Sequence, residues 1–150
     1  MSEALFLTQI TATLFMTGLI WFVQIVHYPL FDEVLSHATP SRFTTYATRH
    51  GNRTSYVVFP PMFVELLTAF AALLPSLRPT FVTQTQAIAS VLLVLLLWLS
   101  TGLLQVPIHN ALGKSPTRQL IQRLILSNWL RTAAWTARAA LLIASLRHAL

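Results

Sequence analysis

The chain has 150 residues, of which 55% are hydrophobic and 9% charged. A charged share so far below the usual quarter excludes a disordered chain and argues against an ordinary water-soluble globule. Ten Lys and Arg against four Asp and Glu give a charge of +6, and the absence of cysteine excludes disulfides, thiolate metal sites and thiol nucleophiles.

Beside long apolar runs, a basic excess points to membrane orientation, and no nucleic-acid partner is expected. The first predicted span covers residues 4–28, and Ala4–Val26 carries no charge. It exceeds the ~20 residues a bilayer requires. With no basic stretch before it and no small-residue cleavage pattern after it, it reads as a retained helix rather than a removed leader. Pro29 is expected to stop it. Thr39-Pro40 then reads as an N-cap and first helical position, and Gly51 as a C-terminal stop. Together they predict a short interfacial helix over 40–50, with Phe43, Ala47 and His50 on one face and Arg42 and Arg49 on another. Asn52-Arg53-Thr54 matches a glycosylation acceptor, but it lies in a loop predicted to face the cytoplasm.

The second span, 57–74, carries one acid, Glu65. The third, 83–107, has a core that is almost pure Leu and Val around Trp98, and Pro107 must kink or end it. The fourth, 120–146, is the most polar: Asn128, Arg131, Trp135 and Arg138 share one stripe. Ala133, Ala137, Ala140 and Ala144 form an opposite ridge suited to close packing, including against a second copy in a homo-oligomer. Helices satisfy their own backbones in lipid, so the expected fold is all-α: a single-domain integral membrane four-helix bundle over 1–150. Two loops on one side hold Arg42, Arg49, Arg53, Lys114, Arg118 and Arg123, while the other side holds Arg78 and Arg147. The asymmetry predicts cytoplasmic basic loops and both termini outside, in a multi-pass protein of the bacterial inner membrane.

The alternation of directions brings His27, Glu65, Gln105, His109, Asn128 and Arg131 into one leaflet, with His50 over the same mouth. A charge at mid-membrane costs ~3 kcal/mol on insertion scales, so such groups face inward and pair. Glu65 is expected to pair with Arg131 or Arg138. Each residue also has a plainer reading. His27 and His109 can simply meet interfacial water, His50 can be an exposed loop residue, and His37 and His148 suggest only surface. Glu65 can belong to a structural ion pair. The tryptophans, Trp129 above all, can be packing or belt residues.

Imidazole and carboxylate are ligands for iron, copper or zinc. His27, Glu65 and His109, with His50 as a fourth, are therefore candidate metal ligands. Two histidines and a carboxylate would suit a non-haem iron oxygenase; axial haem ligation is the weaker option. Glu65 and Arg131 are the candidate catalytic pair. Gln105 and Asn128 would orient ligands or substrate, and Trp98 and Trp135 would line an apolar pocket. No nucleophile elbow, phosphate loop or dinucleotide fingerprint occurs.

Three segments carry a family likeness: Val26-His27-Tyr28-Pro29, the run Gln105–Leu112, and the fourth-span pattern Asn128-Trp129, Arg131-Thr132, Trp135 and Arg138. In these the chain resembles the anthrone-oxygenase-like family of small four-helix membrane proteins. The resemblance implies a four-helix fold and oxidation of a hydrophobic aromatic substrate. The leading expectation is thus a membrane-embedded oxidoreductase or oxygenase-like enzyme acting on a hydrophobic small molecule drawn from the lipid bilayer. The alternatives are a small-molecule or proton-coupled carrier, and a structural subunit that uses the same residues as an ion-pair network.

Overall fold

The computed structural model describes residues 2–147. It is all-α, with four long helices: α1 (Ser2–His37), α2 (Pro40–Ala71), α3 (Gln84–Leu112) and α4 (Arg118–Leu146). The first three are long and apolar enough to cross a membrane. α4 has 29 residues, but Arg118, Arg123, Arg131 and Arg138 lower its hydropathy. His148 lies outside the described residues.

The backbones pack in a ring, α1 on α2, α2 on α3, α3 on α4 and α4 on α1. Thr13 meets Glu65 while His27 meets His50, so α1 and α2 run antiparallel. Gln24 meets Asn128 while Arg138 meets Thr13, which sets α4 antiparallel to α1. The polarity is inverted relative to a water-soluble bundle. Glu65, Gln105, Asn128, Arg131 and Arg138 are buried, while Leu92, Leu103 and Leu126 are 62%, 71% and 70% exposed. An outer face this apolar fits lipid rather than water. Ala133, Ala137, Ala140 and Ala144 lie on the exposed side of α4.

Two expected breaks are absent. Pro29 does not stop α1, which continues to His37 through a π-helical turn at Val23–His27. Pro107 likewise follows a π-helical turn at Thr101–Gln105, and α3 runs on to Leu112. Proline lacks an N–H and its ring crowds the carbonyl four residues back; a widened turn just before it relieves both conflicts.

Nor does Gly51 end a helix. The expected interfacial helix at 40–50 and the second span form one 32-residue helix that also passes through Pro60 and Pro61. No glycine has positive φ, so the left-handed cap expected at Gly51 is not formed. The first turns of α2 pack onto the bundle. Phe43 and Ala47 are buried in one apolar cluster with Tyr28, Phe31, Leu112 and Leu124.

A mid-helix glycine costs backbone entropy, and a Cβ at Gly51 meets nothing within 4 Å. Gly51→Ala is therefore expected to stabilise the protein by about 0.5–1 kcal/mol, seen as a higher unfolding temperature in detergent. Destabilisation would indicate that α2 breaks there.

Candidate functional site

Two polar groups occupy the interior at different levels. At the deeper one, Glu65 Oε1 accepts hydrogen bonds from Thr13 Oγ1 at 2.7 Å and Arg138 Nε at 3.1 Å. Its Oε2 accepts from Trp135 Nε1 at 3.0 Å. Arg138 also donates to the Ser90 hydroxyl at 2.7 Å, and Gln9 donates to the same oxygen at 3.1 Å. Neither side chain of the Glu65–Arg138 pair has any exposure. Of the two partners expected for Glu65, the structure selects Arg138. Arg131 lies two helical turns away on α4, about 10 Å along the axis.

The second group lies where α1 and α3 pass their prolines. His27 Nε2 and His50 Nδ1 share a hydrogen bond of 3.1 Å. The His50 and His109 rings are 5.6 Å apart between centroids. His109 Nε2 and the Tyr28 hydroxyl share a hydrogen bond of 3.1 Å. Three expected ligands, His27, His50 and His109, thus gather, but Glu65 does not join them. The uninterrupted α2 carries Glu65 fifteen positions beyond His50, about 22 Å along the axis. Among the described residues no group of three or more His, Asp or Glu is placed to hold a metal ion. Glu65 therefore cannot share one iron, copper or zinc centre with His50.

Arg131 and Trp135 connect the two levels. The Arg131 guanidinium stands 5.0 Å from the centre of the Trp135 ring, whose N–H is committed to Glu65. Arg131 Nη1 donates to Asn128 Oδ1 at 3.2 Å. Asn128 Nδ2 in turn donates to Gln24 Oε1 at 2.9 Å. The expected catalytic pair of Glu65 and Arg131 is thus divided: Glu65 is neutralised by Arg138, and Arg131 is held by an amide.

Between α2 and α3 lies a cavity of about 550 Å³, closed on the inner side by Tyr28 and Arg131. This is the size of a small-molecule site. Val58, Phe59, Met62 and Trp98 form its apolar wall, while His50, His109 and Gln105 form its polar end. Of the expected pocket residues, Trp98 and Gln105 line it. Gln105 is held between the Ser100 and Ser127 hydroxyls. Asn128 and Trp135 stand behind Arg131 and do not line the cavity, and His27 stands behind His50. Tyr28 was missed as a site residue. The available signal was its place four residues after Gln24 on an inward stripe of α1. Trp21, three residues before Gln24, is by contrast 41% exposed and donates to Thr136.

No protein-family model, curated protein sequence or solved structure matches this chain.

The Glu65 cluster has a clear energetic signature. Removing one member of a buried ion pair leaves an uncompensated charge, so Arg138→Met is expected to destabilise by about 3–5 kcal/mol. Adding Glu65→Leu should restore most of the loss, because no charge is then stranded. Unfolding of the single and double variants in one detergent checks this. Additive losses would mean that the two residues do not act as a pair.

Proposed function

We propose that this protein is a multi-pass membrane enzyme, oxygenase-like in character, that takes a hydrophobic small molecule from the bilayer into the cavity between α2 and α3. In this reading all four helices lie in the bilayer, the basic loops face the cytoplasm and both termini face outside. The distribution of side chains supports the membrane setting: Glu65, Arg131 and Arg138 are buried while many leucines are exposed. The exposed alanine ridge of α4 is the surface on which a second copy would pack.

The observation that carries the functional reading is the cavity itself, which joins an apolar wall to a polar end containing His50 and His109. Such an enclosure binds a lipid-soluble molecule and presents acid–base groups to it. His109 Nδ1 is buried without a hydrogen-bond partner. When Nε2–H donates to the Tyr28 oxygen, Nδ1 keeps an uncommitted lone pair on a ring that lines the cavity, the base this reading requires to take a proton from an acidic C–H or O–H. The adjoining His50–His27 bond supplies a second imidazole pair through which a proton can leave towards the half-buried His27. The resemblance to anthrone oxygenases gives this acid–base role a reaction. A carbon acid between aromatic rings, once deprotonated, is electron-rich enough to be oxidised by dioxygen. Anthrone and O₂ then give anthraquinone and water. A carrier needs a path through the bundle, and Glu65, Arg138 and Trp135 fill its middle.

The test is oxidation of anthrone under air in proteoliposomes, followed through the absorbance of anthraquinone. Conversion should exceed that in empty liposomes, and His109→Ala should slow it by about 10²-fold or more. Equal rates with and without protein would overturn the enzymatic reading.

A further inference from the structure

The two interior arginines share one stripe of α4, yet their surroundings differ. Arg138 has a carboxylate, a hydroxyl and backbone carbonyls around it. Arg131 is only 5% exposed and has no carboxylate. Among the described residues the ion pairs are Arg118–Asp32 at the surface and Arg138–Glu65 in the interior. Among the described residues Arg131 donates to the neutral amide of Asn128 at 3.2 Å, the Tyr28 hydroxyl stands beside it, and its Nε is buried with no partner.

A buried guanidinium without a counter-charge is costly, and an apolar side chain of similar volume would serve packing better. Packing alone therefore does not account for Arg131. Its surroundings hold it in place without neutralising it. Asn128, itself anchored by Gln24, grips Nη1 from one side. The Trp135 face supports the guanidinium plane. Arg131 also lines the cavity, next to the Tyr28 hydroxyl. A planar fork of N–H donors with no counter-charge and an unpartnered Nε is suited to receiving lone pairs from an anionic oxygen group.

We infer that the molecule bound in this cavity is amphiphilic and carries an anionic oxygen group, a carboxylate, phenolate or enolate, which docks on Arg131 while its apolar body lies along Phe59, Met62 and Trp98. The inference rests on the proposed reading of the cavity as a small-molecule site and adds the chemical class of its occupant. The ligand itself supplies the missing counter-charge. Aromatic acids and aliphatic-chain acids share this chemistry, and the shape of the wall decides between them.

The experiment is calorimetric titration of the protein in lipid nanodiscs, with empty nanodiscs as the blank. The probes are 1-naphthoate, its neutral counterpart 1-naphthylmethanol, and dodecanoate. The wild type is expected to bind 1-naphthoate at least ~10-fold more tightly than 1-naphthylmethanol, the ratio that one charge-assisted hydrogen bond supplies. Dodecanoate binding as tightly as 1-naphthoate would identify a chain acid, and weaker binding an aromatic one; either result supports the anion site. Arg131→Gln should remove the preference while 1-naphthylmethanol still binds. Arg131→Lys should keep part of it, and it carries the test if the glutamine variant does not fold. Binding of the neutral probe with no preference for the anion, or a preference that survives Arg131→Gln, overturns the inference and leaves the cavity reading standing. Failure of the folded wild type to bind any probe overturns both.

Discussion

A carboxylate and a guanidinium sealed inside an apolar bundle must find each other, and the other helices have to accommodate that contact. Glu65 and Arg138 are that pair, with no exposure on either side chain. Their bond joins α2 to α4 across the diagonal of the ring. Thr13 adds α1 through a 2.7 Å hydrogen bond, and Ser90 adds α3 through another of 2.7 Å. All four helices therefore meet at one level with their mutual heights set. Apolar side chains alone define such heights weakly, because leucine against leucine is nearly as good one turn up or down. A polar cluster with a carboxylate at its centre has far fewer acceptable registers.

The height set there carries through to the cavity. Trp135 donates its N–H to Glu65 and offers its face to Arg131, so the indole transmits the position of the ion pair to the second arginine. The bundle thus contains a saturated charge and an unsaturated one about two helical turns apart. The first is structural in every contact it makes. The second is positioned with comparable care and left without a counter-ion, an arrangement that makes sense when a bound molecule completes it. In the proposed reading, stability and ligand binding are divided between two arginines on one helix.

Much of this was legible in the sequence. Four helical segments, the inward stripe Asn128, Arg131, Trp135 and Arg138, and the choice of Arg131 or Arg138 for Glu65 follow from helical spacing and from the cost of burying charge. The continuity of α2 was not legible. The stretch Arg49-His50-Gly51-Asn52-Arg53 has the polarity of a loop and a glycine where a cap would stand. What keeps it helical is tertiary: Phe43 and Ala47 pack against residues from the other three helices. That expected break is also what allowed His50 to be counted as a fourth ligand beside Glu65, because a loop helix separate from the second span could fold over the same mouth. Once the helix is continuous, the two cannot meet.

The π-helical turns explain the rest of the site. Along α3 the buried positions run Val94, Leu97, Ser100, Gln105 and Leu112. The step from Ser100 to Gln105 spans five residues, and the two side chains still touch at 3.2 Å. In a regular helix, residues five apart point in clearly different directions; in a π turn they lie one above the other. The widened turn therefore re-aims everything beyond it, and it is what turns Gln105 inwards and sets His109 beside Tyr28. On α1 the turn at Val23–His27 precedes Tyr28 in the same way, with Gln24 and Tyr28 both inside. Each π turn ends two residues before a proline that would otherwise break the ladder, so the sequence feature that reads as a stop is the one that builds the site. A regular 3.6-residue period projected through Pro29 and Pro107 finds the right helices but rotates their last turns out of register. The geometry of the cavity depends on that rotation.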